Sequence, residues 1–184
     1  MNVKGARMQL KKMLNNSLQK KFDKFFLYIF QRNVSICFSI IAIIFLFDRF
    51  SKIKVINQID DSTIYINDFV NFDLIWNTGI GFGLLSSDLS LFYNLITIII
   101  GLVIVFLFYL LIKSDLIDQI LFSTILGGAL GNFYDRITYN AVPDFIDVHY
   151  ENFHWFTFNI ADIFISLGIA IILLKDLFLK NEKN

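Results

Sequence analysis

The chain has 184 residues, 56% of them hydrophobic and 17% charged, whereas a soluble domain is about 45–50% apolar and about 25% charged. Its 16 basic residues balance its 16 acidic ones, so it has neither the basic excess of a nucleic-acid binder nor the polarity of a disordered chain. A single Cys excludes an intramolecular disulfide and a Cys-built metal site, and the length fits one domain; an integral membrane protein remains.

Residues 1–32 carry eight Lys/Arg against one acid, Asp23. Leu10, Leu14, Leu18, Phe22, Phe25, Phe26 and Ile29 recur at three-to-four spacing there. This pattern predicts a basic amphipathic helix on the anionic inner leaflet. The alternatives are a disordered basic leader, or translation that starts at Met8 or Met13. A first span follows from Asn33 to about Lys52, apolar through Phe47 and then interrupted by Asp48, Arg49 and Lys52. Its depth in the chain, and the lack of a small-residue cleavage site, make it an anchor rather than a removed signal peptide.

The connection 55–88 has five Asp and no Lys or Arg. Its β-branched and aromatic runs, Ser62–Asn67 and Phe69–Trp76, predict a two- or three-stranded sheet at the membrane surface. The second span, Leu89–Ile112, is 24 residues without a charge. The third starts near Leu116 and stays uncharged from Gln119 to Tyr134 before Asp135 and Arg136. The connection 137–155 again lacks Lys and Arg, and the fourth span, from about Phe156 to Leu174, holds one charge, Asp162. Lys113 in the short turn, and Lys175, Lys180 and Lys183 in the tail, complete an alternation that follows the positive-inside rule. Both termini are thus expected in the cytoplasm and the two long connections outside. The division is an extension at 1–32, a four-span domain at 33–178 and a tail at 179–184.

An ionisable group within the hydrocarbon costs several kcal/mol, which makes each one a functional candidate. At about 1.5 Å per residue from the cytoplasmic side, Asp48 lies roughly 21 Å along the first span. On the same scale Asn132 lies about 24 Å and Arg136 about 30 Å along the third. Asn159 and Asp162 sit in the first two turns of a fourth span that enters from outside. All gather in the outer third of the bilayer. Gly128, Asn132 and Arg136, four apart, share a face, and small residues there admit a neighbouring helix or a substrate helix.

Pro143 turns the backbone away from helix just before Asp144. Asp144 then caps the exit of span three, and Asp162 enters span four 18 residues later. Antiparallel neighbours bring the two carboxylates together. In a low-dielectric site they cannot both ionise comfortably, so they share a proton. The ionised partner activates a water while the protonated one polarises a carbonyl. Other chemistry is poorly supported. His149 and His154 are five apart without a zincin pattern, and read as surface residues rather than metal ligands. Cys37 reads as packing, and Ser86, Ser87 and Ser123 lack a His in register.

Five blocks now stand together: Asp48-Arg-Phe-Ser-Lys52, Asn77-Thr-Gly-Ile-Gly-Phe-Gly83, Gly127-Gly-Ala-Leu-Gly-Asn-Phe-Tyr-Asp-Arg136, Val142-Pro-Asp-Phe145 and Phe158-Asn-Ile-Ala-Asp162. In this order and spacing the chain resembles the lipoprotein signal peptidase (signal peptidase II) family over residues 34–176. The resemblance implies an all-α membrane protein, with four transmembrane helices and a small extramembrane β-cradle on the outer side at 62–76. It implies that Asp144 and Asp162 are the catalytic dyad and that Asp135 is not catalytic. It also implies that Asn77, Asn132, Arg136 and Asn159 bind substrate, with Asp48, Lys52 and Gly128 at the pocket. Asp48 and Lys52 can equally pair with each other. Arg49 stands where the family usually has Gln, Gly81 where it has Ala, and Pro143 where a β-branched residue is usual. Residues 1–30 have no counterpart.

The expected function is aspartic endopeptidase cleavage of bacterial prolipoproteins on the N-terminal side of a diacylglyceryl-modified Cys. The expected location is the inner membrane, with the active site near the outer leaflet. The expected partners are these substrates and membrane lipids, with no nucleic acid, metal or organic cofactor, and the chain is expected to be a monomer. Two rivals remain. A four-helix transporter or channel subunit would line an ion path with the polar cluster, but the inner two-thirds of spans one and two are unbroken Ile, Leu and Phe. A non-catalytic assembly factor would need no carboxylate pair.

Overall fold

The computed structural model describes residues 16, 18–21, 32–59, 63–78 and 89–181. The chain divides into two compact units, Met1–Phe38 and Ser39–Asn184. The site residues belong to the second. Of the expected amphipathic helix at 8–30, the described residues 16 and 18–21 are helical; the rest of it, and Gly81, lie outside the described residues.

The elements in order are α1 (Arg32–Gln58), β1 (Ile64–Asn67), β2 (Val70–Asn77), α2 (Leu89–Lys113), α3 (Leu116–Tyr139), β3 (Val142–Tyr150), β4 (Phe153–Phe158) and α4 (Ile160–Asn181). Within the described residues, three helical stretches are long and apolar enough to cross a membrane: Asn33–Gln58, Tyr93–Lys113 and Leu116–Tyr139. α2 makes the case most plainly. Leu95, Ile98, Ile99, Leu102, Val105 and Phe106 are all exposed on it, a continuous apolar surface that water would penalise and lipid does not. α4 has 22 residues, among them Asp162, Lys175, Asp176 and Lys180.

Local chemistry sets the ends of α3. Asp115 is its N-cap, accepting from the Asp118 amide at 3.1 Å. Asn140 closes it in the left-handed region at φ 55°, a conformation that Asn adopts more easily than most residues. Pro143 then prevents further helix. α3 packs against both α2 and α4, and its glycines permit the approach. A Cβ on Gly128 would stand 2.5 Å from the Ala161 carbonyl oxygen of α4, and one on Gly127 2.8 Å from Ile44 Cβ of α1. Both distances are shorter than real contacts, so side chains there would force the helices apart.

The sheet is larger than the sequence suggests. It has four antiparallel strands in the order β1-β2-β3-β4, not two or three, because the 137–155 connection supplies strands of its own. β2 pairs with β3, with Ile75 opposite Asp144 and Asn77 opposite Val142. The fourth helix also begins later than Phe156. Phe153–Phe158 is β4, held to β3 by pairs such as Ile146 with Phe158, and the helix starts at Ile160. Val55 and Ile59 at the end of α1 pack with Phe145, and with Phe72, Leu74, Ile146 and Ile160. The sheet is thereby tied to the end of α1 and the start of α4.

Candidate active site

Two groups of acids meet where α1, α3, β3 and α4 converge, all buried but the half-buried Asp162. The first is built on α1. Lys52, fully buried, directs its ammonium at three oxygens: Asp48 Oδ2 at 2.7 Å, Asp135 Oδ2 at 2.7 Å and Asn132 Oδ1 at 2.8 Å. The Asp48 and Asn132 contacts are hydrogen bonds, and Asp135 adds an ion pair. Arg49 pairs with the other oxygen of Asp135, lies 4.6 Å from the Tyr134 ring centroid and donates to the Tyr139 hydroxyl at 3.3 Å. Two acids and two bases therefore cancel out of reach of water, the condition under which buried charge is tolerated. Asp48 Oδ1 accepts from the Ala161 amide at 2.9 Å, satisfying an amide in the first turn of α4. A Cβ on Gly131 would collide with Asp48 Oδ2.

The second group is Asp144 and Asp162, and amides rather than cations hold it. Asp144, 3% exposed, accepts from Asn77 Nδ2 at 2.8 Å and from Asn159 Nδ2 at 2.5 Å, one on each oxygen. Asp162 Oδ1 accepts from Asn132 Nδ2 at 2.8 Å. Its Oδ2 accepts from the Asn159 amide at 3.1 Å, and the Asp162 amide donates back to Asn159 Oδ1 at 3.1 Å. This is a reciprocal capping box at the start of α4, with Asn as N-cap and Asp three residues on. The cap explains why the helix begins at Ile160. Asn159 thus touches both carboxylates and fixes them relative to each other. Burial pushes the Asp144 carboxyl up to about 6, and the nearby Asp162 charge adds to this, against the Asn77 and Asn159 hydrogen bonds and the Lys52 charge.

The remaining candidates take distinct places. Arg136 lies with its guanidinium 5.6 Å from the Tyr93 ring centroid, while the Tyr93 hydroxyl donates to its backbone carbonyl. Its buried Nη1 has no hydrogen-bond partner among the described residues. Gly128 lies against the α4 backbone at Ala161, so the structure gives it a helix-packing contact. Asp48 and Lys52 do pair with each other. Cys37 is buried.

Sequence reasoning missed two features. Arg49 and Asp135 form an ion pair beneath the site, signalled only by the presence of both charges in apolar runs. His149 is not a surface residue, being 8% exposed, and it lies with His154 beside the buried Asp147. The alternation Asp147–His149 on one strand face was the available signal, hidden because residues 137–155 read as a loop.

The pattern of the signal peptidase (SPase) II family matches residues 40–178. The chain is 51% identical over 147 residues to the lipoprotein signal peptidase of Pelagibacter ubique (strain HTCC1062), covering 78% of this chain and 89% of that one. With the enzyme of the same name from Aquifex aeolicus (strain VF5) it shares 43% over 145 residues, 77% of this chain and 86% of the relative. A solved bacterial membrane enzyme, determined by the in meso method at 2.3 Å resolution, superposes with a TM-score of 0.67 at 30% identity, over 82% of this chain and 93% of its own. Sequence and fold thus converge, and the chain belongs to the signal peptidase II family, a family of membrane peptidases.

Proposed function

We propose that the protein is an aspartic endopeptidase that removes signal peptides from prolipoproteins, cutting on the N-terminal side of a Cys that carries diacylglycerol. One observation carries the reading. Asp144 and Asp162 are held together by Asn159 and, among the described residues, have no cation in direct contact, while the buried Asp48 and Asp135 of the helix core are ion-paired. A structural pair would be neutralised. A pair that must hold one proton would not.

Asp144, whose carboxyl titrates near 6, carries the proton and donates it to the scissile carbonyl oxygen. Asp162, as the base, takes a proton from the attacking water. On collapse of the tetrahedral intermediate a hydroxyl of the gem-diol returns a proton to Asp144 while the proton on Asp162 passes to the leaving amine, so the C–N bond breaks and the dyad returns to its starting state. Asn77, Asn132 and Asn159 hold the carboxyl groups in register. Lys52 acts through Asn132: its donation to Asn132 Oδ1 orients the amide whose Nδ2 grips Asp162. Asp48 and Lys52 are therefore positioning residues, and the unpartnered Nη1 of Arg136 is the donor for a substrate backbone carbonyl.

The reading includes α4 as a fourth span, because its first turn is capped within the protein and Lys175 pairs with Asp118 of α3 at the other end. Both termini then face the cytoplasm of a bacterial inner membrane, and the sheet lies near the outer leaflet. The chain acts as a monomer with no metal or organic cofactor in the reaction. Purified protein in detergent should convert a lipidated prolipoprotein to two products and leave the unlipidated precursor intact. Equal cleavage of both forms, or of neither, would contradict the proposal.

A further inference from the structure

We propose that Asp147, His149 and His154 bind a divalent transition ion of the Zn²⁺ class on the sheet, clamping β3 to β4. One ligand atom from each residue lies within 4.8 Å of the others. Register builds this arrangement. Asp147 and His149 alternate onto one face of β3, His154 stands directly opposite His149 on β4, and an irregularity between Val148 and His149 turns the strand there. Two imidazoles and a carboxylate are donors that suit Zn²⁺, Cu²⁺ and Ni²⁺ far better than Mg²⁺ or Ca²⁺.

The distances suit the ion. Tetrahedral Zn²⁺ with bonds of about 2.0–2.1 Å sets neighbouring donors about 3.4 Å apart. His149 Nδ1 stands 3.5 Å from Asp147 Oδ2. His154 Nδ1 is 2.7 Å from the same oxygen and must open by about 0.7 Å, which a side chain 59% exposed achieves by a small χ rotation.

Two further observations point to a ligand. The buried His149 Nδ1 makes no hydrogen bond, and neither does the buried Asn71 Oδ1. Asn71 pairs with Asp147 across β2–β3 and sets its amide nitrogen 3.5 Å from His149 Nε2. A half-turn of that amide lets Oδ1 accept from Nε2–H, which leaves the Nδ1 lone pair free; this is the support that metal-bound His side chains ordinarily have. Charge gives the second argument. Asp147 is 2% exposed, and among the described residues its ionic neighbours are these two imidazoles alone. Neutral imidazoles leave the buried carboxylate uncompensated, and a bound cation removes that cost.

The test uses full-length protein without a polyhistidine tag, stripped by chelator in detergent and titrated calorimetrically with Zn²⁺ alone. A single ion per chain at micromolar affinity or tighter is expected, together with a rise in melting temperature. His154→Ala and Asp147→Asn should each weaken binding by about 10-fold or more and lose the rise in melting temperature. His154 is exposed, so His154→Ala without metal should melt as the parent does, which keeps the test valid if Asp147→Asn fails to fold. No binding by the parent, or equal binding by His154→Ala, overturns the proposal.

Discussion

The two acid groups at the convergence of α1, α3, β3 and α4 are differently compensated: Asp48, Asp135 and Asp144 are buried and Asp162 half-buried. Asp48 and Asp135 face Lys52 and Arg49, and the four formal charges sum to zero. Among the described residues, Asp144 and Asp162 accept hydrogen bonds from asparagine amides and a helix-start amide. Burial alone therefore does not identify the reactive acids. What separates them is the partner: a cation fixes a carboxylate in its charged form, whereas a neutral amide accommodates it in either protonation state. The paired group is scaffold for the unpaired one, linked through Asn132, which Lys52 holds on one side and Asp162 accepts from on the other.

Removing a carboxylate from the unpaired group should have the largest effect on activity. Asp144→Asn and Asp162→Asn should each lower cleavage by about 10⁴-fold or more, with the double variant hardly worse than either, as for groups that act as a unit. Multiplying effects in the double variant would break the idea of one shared proton. In the paired group the large effect moves to stability. Lys52→Met leaves Asp48 and Asp135 without their shared cation and should cost about 3–5 kcal/mol of folding free energy, read as a fall in melting temperature. An unchanged melting temperature would contradict the scaffold role.

The glycines joining the groups come next. Gly131→Ala should cost about 1–3 kcal/mol, because the new Cβ meets Asp48 Oδ2 inside the ion-paired group. Loss of stability without loss of the chemical step is expected at matched folded protein.

The pH response sharpens the contrast. The Asp144 carboxyl is raised from 3.8 to about 6 in the folded protein, so the native state binds its proton more tightly than the unfolded chain does. Its contribution to stability is full below about pH 4 and is lost as pH rises through about 6. Asp144→Asn cannot lose it. Measured by thermal melting, the variant should gain on the parent between pH 4 and pH 7 by up to about 3 kcal/mol. A difference flat with pH would show that Asp144 is not held protonated.

How much of this was legible in the sequence follows from how local each signal is. α2 and α3 appear as apolar runs between charges, and their observed bounds, Leu89–Lys113 and Leu116–Tyr139, lie close to those expected. Asp48 and Lys52, four apart on one helix, announce their pairing. The third oxygen on Lys52, from Asp135, does not, because it comes from another helix. The largest misreading is Phe153–Phe158. Its apolar residues continue into α4 without a break in hydropathy, and only pairing with β3 makes them a strand. The Asn159–Asp162 spacing is the helix-start signal in the sequence, masked because both residues also read as intramembrane polarity. His149 is misplaced for a related reason: the Asp147–His149 alternation marks a shared face only once residues 142–150 are a paired strand.

The central claim is that the amide-held acids do the chemistry and the ion-paired acids do not. The most direct measurement is single-turnover cleavage of a lipidated prolipoprotein by Asp162→Asn and Asp135→Asn at equal concentrations of folded protein. Asp135→Asn should lose stability and retain the chemical step within about tenfold, while Asp162→Asn folds and falls by about 10⁴-fold. Near-normal cleavage by Asp162→Asn, with cleavage lost in Asp135→Asn, would place the reactive pair in the wrong group.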